Sequence, residues 1–253
     1  MSAVLAVEGI SKSFGGVQAV RDVSFAVAPG EMLAMIGPNG AGKSTTFNMA
    51  GGQLRPDRGR VLLGGRDITG IAPRVVWRLG VGRTFQVTAT FASMTVAENV
   101  QMALLSHAGR AFDPLGSARG FAPDRALALL GQVGLAEQAA RSCGELAYGD
   151  VKRLELAVAL ANEPRLLLMD EPTAGMAPRE RIALMALTAS IARERRLAVL
   201  FTEHDMDVVF AHADRLVVLD RGVLIAGGRP AEVRADPKVR AVYLGGGATS
   251  GGH

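Results

Sequence analysis

The chain has 253 residues, 49% of them hydrophobic, which is enough for a core spread over one or two lobes. Its most apolar stretches, such as 166–169 and 197–201, fall far short of the roughly 18–20 residues that a membrane span needs. Lys and Arg number 28 against 24 Asp and Glu, a mild and scattered excess, and Cys143 alone excludes an internal disulfide and a cysteine metal cluster.

In chain order, residues 4–10 and 19–28 alternate apolar and polar positions, as one-sided antiparallel strands do. The first of these has no basic leader and does not read as a secretory signal. Residues 32–36 are continuously apolar, the pattern of a central strand covered on both faces. A glycine-rich stretch follows, then a helical pattern at 46–50, a strand at 60–63 and another at 80–85. From 88 to 162 the pattern is helical. It predicts helices at 95–105, at 123–133 with proline at its start, and at 151–161 with Leu154, Ala157, Val158 and Ala161 on one stripe, while 109–120 reads as a loop. Residues 166–169, 197–201 and 216–219 return to short apolar strands, and the first two run into polar residues and then a helical pattern. That alternation predicts a parallel sheet with ligands at the strand carboxyl ends. The RERR run at 193–196 falls at a helix end, where cations complement the dipole, and with no basic–aromatic interleaving it reads as a solvated terminus and not a nucleic-acid patch. The stretch GGGATSGGH at 245–253 is expected to be disordered.

GPNGAGKST, covering Gly37, Pro38, Asn39, Gly40, Ala41, Gly42, Lys43, Ser44 and Thr45, satisfies G-x-x-x-x-G-K-[ST] between a strand and a helix. Its glycines let consecutive N–H groups point inward at phosphate oxygens. Lys43 supplies a mobile positive charge for the β- and γ-phosphates, and the Ser44 hydroxyl is a ligand for Mg²⁺. RLLLMDEPT at 165–173 supplies the complement: Asp170 ends an apolar strand where it can hold the Mg²⁺ water shell, and Glu171 lies one step further toward the site. Two adjacent carboxylates there also suit the cap of the next helix, which Pro178 helps to start. The P-loop with this pair specifies a nucleoside triphosphate hydrolase or a kinase, without separating them. The fold class is α/β: a P-loop NTPase core with a mostly parallel central sheet, an antiparallel β subdomain near the N-terminus and an inserted helical subdomain.

LAYGD (Leu146, Ala147, Tyr148, Gly149, Asp150) lies about twenty residues before Asp170, at the mouth of a helix whose N–H groups attract anions. Together with Gln86 after the strand at 80–85 and with TEHD at 202–205, this order resembles the ABC-type ATPases over nearly the whole chain. VGRTFQ at 81–86, LAYGD, EHDM at 203–206 and the ending DPKVRAVYLG at 236–245 are similar to the ATPase subunit of bacterial branched-chain amino acid importers. The expected organisation is residues 1–87 as the first part of the ATPase core lobe, 88–162 as the helical subdomain, 163–244 as the second part of the core and 245–253 as a tail.

The resemblance implies a role for each matching residue. Phe14 stacks on adenine or is a core residue at the lobe edge, both fitting its place beside the second strand. Gln86 touches Mg²⁺ and the attacking water, Glu171 polarises that water, and His204 contacts the γ-phosphate; His107, His212 and His253 lack such a setting. Alanine at 147, tyrosine at 148 and aspartate at 150 depart from the commonest Leu-Ser-Gly-Gly-Gln signature, the first two in a way that fits the importer group, and Ala177 stands where relatives usually carry an aspartate or asparagine linking two subunits. The implied protein binds ATP and Mg²⁺ and pairs head to tail with a second ABC ATPase subunit, as homodimer or heterodimer, the signature of each closing over the other's ATP. It drives integral membrane permease subunits, with residues 87–91 in the groove that receives one of their helices. A solute-binding protein is an indirect partner, and no nucleic acid is involved. Its expected place is peripheral, on the cytoplasmic face of the inner membrane. Cargo is read by other proteins, so a lipid or urea transporter of the same architecture stays open. Soluble relatives in DNA repair or translation carry coiled-coil inserts, zinc modules or tandem halves, none of which this sequence shows.

Overall fold

A computed structural model of the chain describes residues 3–84, 90–110 and 120–244. Strand β1 (Leu5–Phe14) turns through Gly15 and Gly16, both at positive φ, into β2 (Val17–Val27). β1 also pairs with β4 (Arg58–Leu63), which pairs with the short β5 (Arg66–Asp67), giving an antiparallel sheet of order β2-β1-β4-β5. The second sheet has the order β10-β9-β3-β8-β7-β6. Its members are β3 (Met32–Ile36), β6 (Val81–Thr84), β7 (Leu166–Asp170), β8 (Ala198–Thr202), β9 (Arg215–Asp220) and β10 (Val223–Gly228). All pairings in it are parallel except β10 with β9.

The continuous apolar runs have a direct cause. In β3, Met32, Ala34 and Ile36 point into one core and Leu33 and Met35 into another, so every position is buried. β7 and β8 divide the same way: Leu166, Leu168, Ala198 and Leu200 face the antiparallel sheet and α1 (Lys43–Ala50), while Leu167, Met169, Val199 and Phe201 face the helices. Burial of each of the larger of these side chains, Leu, Ile, Val, Met or Phe, stabilises the fold by roughly 1.5–3 kcal/mol. Alternation along β1 likewise follows from one buried face.

Helices α3 (Val96–His107), α4 (Pro123–Gln132) and α5 (Tyr148–Leu160) pack on one another. Thr95 starts α3 with reciprocal bonds, its hydroxyl accepting from Glu98 N at 3.1 Å and Glu98 Oε2 accepting from Thr95 N at 2.8 Å. Beyond β7, α6 (Pro178–Arg195) opens on proline and ends with Arg196 in the left-handed region, so the basic run does lie at a helix terminus. No helix among the described residues is long and apolar enough to cross a membrane.

Two helix starts differ from the sequence expectation. α5 begins at Tyr148 and not at 151, because Ala147 is extended (φ −62, ψ 150) and the chain coils from the next residue, with Asp150 in the first turn complementing the dipole. α1 begins at Lys43, three residues ahead of the expected pattern. Helices α2 (Pro73–Arg78), α7 (Met206–His212), α8 (Pro230–Ala235) and α9 (Pro237–Leu244), and strand β10, complete the architecture. Most of the expected loop at 109–120, and all of the tail at 245–253, lie outside the described residues.

Candidate active site

The carboxyl end of β3 delivers the chain into the glycine-rich loop. Gly37 has φ +151, and a Cβ there would sit 2.1 Å from the Leu219 carbonyl oxygen on β9. Gly42 has φ +95, and a Cβ would meet the Ala19 carbonyl at 2.6 Å. Only glycine fits either place. Gly42 is the N-cap of α1 and offers no side chain to its first turn, which leaves those N–H groups for an anion. Lys43 is 7% exposed and its ammonium donates to the carbonyls of Gly37 at 2.7 Å and Pro38 at 3.0 Å. Burial lowers its pKa, opposed by the nearby carboxylates of Glu171 and Asp170. Lysine and both carboxylates therefore share one site, although they come from segments far apart in sequence.

β7 and β8 fix the acidic pair. Asp170 Oδ1 accepts from the Thr202 hydroxyl at 2.6 Å, and Glu171 N donates to that hydroxyl oxygen at 3.0 Å. Glu171 is in the left-handed region (φ 49), a conformation that costs a non-glycine residue about 1–3 kcal/mol and persists only where its surroundings over-determine it. Here the Thr202 contacts and the bond from Ala174 N to the Glu171 carbonyl at 3.1 Å do so. Neither carboxylate caps α6; its N-cap is Ala177, whose N–H donates to Glu180 Oε2 at 3.3 Å. His204 Nε2 lies 2.9 Å from Glu171 Oε1, so the side chain implied for the γ-phosphate meets the one implied for the attacking water.

The donor set suits Mg²⁺. It consists of hard oxygens, the exposed Ser44 hydroxyl and the Asp170 carboxylate, and Mg²⁺ ordinarily takes one or two carboxylates with water and phosphate completing its shell. Gln86, and residues 87–89 of the expected groove, lie outside the described residues; Phe91 is described and exposed. Phe14 is the last residue of β1 and 49% exposed, with the Lys12 ammonium 5.8 Å from its ring centroid. The core alternative for Phe14 is thereby removed.

LAYGD lies at the start of α5. Ala147 and Tyr148 are exposed, and the Tyr148 hydroxyl donates to the Ala174 carbonyl at 3.0 Å. Gly149 is buried and helical; a Cβ there would meet Glu180 Oε1 at 2.9 Å. Only the flexible end of the Glu180 side chain would have to move, and the backbone is not left-handed, so the fold of this chain does not itself demand glycine here. Asp150 Oδ2 accepts from Gln138 at 3.0 Å.

The family model described as "ABC transporter" matches residues 20–174, and one described as "Branched-chain amino acid ATP-binding cassette transporter" matches 223–249. The chain belongs to the ABC transporter ATP-binding family. It is 39% identical over 249 residues to the high-affinity branched-chain amino acid transport ATP-binding protein LivG of Salmonella typhimurium, covering 96% of this chain and 98% of that one. BraF of Pseudomonas aeruginosa, of the same description, is also 39% identical, with the same coverage. The ADP conformation of an ATP-binding cassette from an ABC transporter superposes with a TM-score of 0.85 at 33% identity, covering 97% of this chain and 100% of that one.

Among ABC ATP-binding subunits the P-loop and acidic pair are read easily from sequence; their supports are not. Thr202 bonds to both acidic residues across about thirty positions, and its only sequence signal is a hydroxyl closing an apolar strand. Arg83, on β6 before Gln86, donates to Asn48 at 2.8 Å and lies over the Phe47 ring at 5.0 Å. Burial lowers its pKa and the Asp170 carboxylate opposes that shift, which places a guanidinium in the field of the acidic pair.

Proposed function

We propose that this chain is the ATP-hydrolysing subunit of a membrane importer for branched-chain, hydrophobic amino acids. The observation that carries the chemistry is the convergence of buried Lys43 with Asp170 and Glu171, and of Glu171 with His204, at the carboxyl ends of β3, β7 and β8. The cargo rests on the likeness to LivG and BraF along nearly the whole chain and on the match at residues 223–249.

In this reading the backbone from Gly37 to Thr45 and the Lys43 ammonium bind the phosphates, and Phe14 stacks on adenine. Ser44, Gln86 and Asp170 hold Mg²⁺, which when bound neutralises charge on the β- and γ-phosphates. Glu171 orients and polarises the attacking water, while His204 contacts the γ-phosphate and steadies Glu171. Leu146, Ala147, Tyr148, Gly149 and Asp150 serve the ATP held by a second subunit packed head to tail. Residues 87–91, with the exposed Phe91, form part of the groove that receives a helix of the permease subunits at the cytoplasmic face of the membrane.

The test replaces Glu171 with glutamine. ATP binding is expected to persist while hydrolysis slows by about two or more orders of magnitude, and the protein should shift from monomer to dimer in Mg-ATP and return in ADP. Near-normal turnover would move the water-orienting role elsewhere, and an unchanged mass in both nucleotides by light scattering would contradict head-to-tail pairing.

A further inference from the structure

Glu203 is a carboxylate only 5% exposed, one residue before His204. Its Oε1 accepts from Thr173 N at 3.0 Å and from the Thr173 hydroxyl at 2.6 Å, and its Oε2 accepts from His204 N at 3.1 Å. All three donors are neutral, and Thr173 is itself 1% exposed. Burying an ionised group is costly unless its oxygens are satisfied, so a carboxylate in this place has to be held by what it holds.

We propose that Glu203 is a positioning residue for ATP hydrolysis, clamping the loop that carries Glu171 to the backbone that carries His204. The inference rests on the reading of Glu171 and His204 given above. Thr173 lies two residues beyond Glu171, and Glu203 directly precedes His204, so one carboxylate ties together the two backbones from which the facing side chains project. Their contact of 2.9 Å joins His204, 49% exposed, to a partly buried Glu171, and one such contact between two flexible side chains defines its own geometry poorly. Glu171 also starts from a left-handed backbone, which relaxes unless restrained on both sides. Thr202 restrains the side nearer β7, and Glu203 restrains the side beyond it.

A second link keeps this a question of positioning and not of folding. Arg181 donates to the Met176 carbonyl at 2.7 Å and to Asp205 Oδ2 at 2.8 Å, while Asp205 Oδ1 accepts from the first turn of α7. The two loops therefore stay joined at their outer ends when the inner clamp is removed.

The experiment measures kcat, KM, the ATP dissociation constant and Tm for Glu203→Ala, Glu203→Gln and Thr173→Val, with Glu203→Ala repeated in a His204→Ala background. Misplacing a reacting group by about 1 Å costs on the order of 100-fold, so Glu203→Ala should lower kcat by roughly 30-fold or more with ATP affinity within about threefold of the parent. Glu203→Gln keeps an acceptor for Thr173 but turns its amide N–H toward His204 N–H, and should fall between. Thr173→Val removes one bond at nearly constant volume and should lower kcat by roughly fivefold, which keeps the test decisive if Glu203→Ala does not fold. In the His204→Ala background the Glu203 effect should shrink several-fold, because the pair it aligns is gone. A folded Glu203→Ala protein with kcat within twofold of the parent overturns the inference, as does a loss that multiplies in full with that of His204→Ala, or one matched by lost ATP affinity. A parent protein without ATPase activity overturns the reading beneath it as well.

Discussion

Replacing Gly37 with alanine tests how the phosphate loop is anchored, and Gly40→Ala in the same loop provides the comparison. At Gly37 the new Cβ would lie 2.1 Å from Leu219 O and 3.1 Å from Ala41 Cβ. An ordinary carbon–oxygen contact is about 3.3 Å or more, so the strands must part by about 1 Å. They cannot part freely, because Ile36, the preceding residue, pairs with Val218, the one before Leu219. The backbone at φ +151 adds about 1–3 kcal/mol for an L residue, and overpacking a rigid site adds about 1–3 kcal/mol more. Gly40 also has positive φ, +79, but nothing lies within 4 Å of its Cβ, so alanine there costs only about 1–2 kcal/mol of backbone strain. The difference, about 2–3 kcal/mol, corresponds to roughly 5–10 °C in Tm for a chain of this size. Thermal unfolding followed by circular dichroism should show Gly37→Ala melting well below Gly40→Ala, with ATP binding weakened even where it remains folded. Equal melting temperatures would refute the close approach of β9 to the loop.

Three more outcomes are expected. Phe14→Ala should leave Tm nearly unchanged, since the ring is half exposed, yet weaken ATP binding by a factor of about 5–150, the usual worth of base stacking; unchanged affinity in a fluorescence titration would make Phe14 a plain surface residue. Burial and Arg193 lower the pKa of His212, so the unfolded chain binds the extra proton first as pH falls below about 6.5, and His212→Gln should flatten the loss of Tm between about pH 6.5 and 5; identical slopes would exclude this histidine as a cause. Ala147→Asp puts a favourable N-cap residue at the exposed start of α5, sparing fold and monomer ATP binding while repelling a partner's γ-phosphate by roughly 4 kcal/mol at 4 Å. Mixed with Lys43→Ala it should recover part of the hydrolysis that each lacks alone, because one composite site of the pair then carries neither defect; no recovery would count against head-to-tail pairing.

What could be read from the sequence was whatever a local pattern enforces. The run Met32–Ile36 is buried on both faces, so it had to be wholly apolar, and Gly37 and Gly42 after it are demanded by contacts that admit no Cβ. The start of α5 was hidden because Ala147 caps without a side chain and the glycine that follows suggested a turn. β10 was hidden because its hairpin turns on Arg221 and Gly222, both at positive φ, and Arg-Gly is a weaker hairpin signal than Asn-Gly. In the site, Lys43, Asp170 and Glu171 declared themselves by spacing, whereas Thr202 and Glu203 act on residues about thirty positions away. Glu203 did leave one trace. Val199 and Phe201 point into the helix-side core, and a residue two further on continues that parity, so a glutamate there had to be buried and partnered.

The segment from Glu171 to Ala177 is where the two half-sites of the proposed pairing would meet within one chain. On one side Thr202 and Glu203 hold it to β8 and to His204. On the other, the Tyr148 hydroxyl donates to Ala174, a Cβ on Gly175 would lie 3.4 Å from the Tyr148 ring, and Gly149 lies against Glu180, the residue that accepts from Ala177 N. Under the proposed pairing, Tyr148 belongs to the partner's nucleotide and Glu171 to the chain's own. The commonest signature has glycine at position 148, which has no side chain to make this bond. Tyrosine there extends from the helical layer to the loop beyond the catalytic carboxylate, and the Ala177 that follows contributes only its backbone. If the proposed pairing holds, the intrachain connection between the two half-sites therefore runs through the Tyr148 side chain, at the position where this sequence departs most in size from the common pattern.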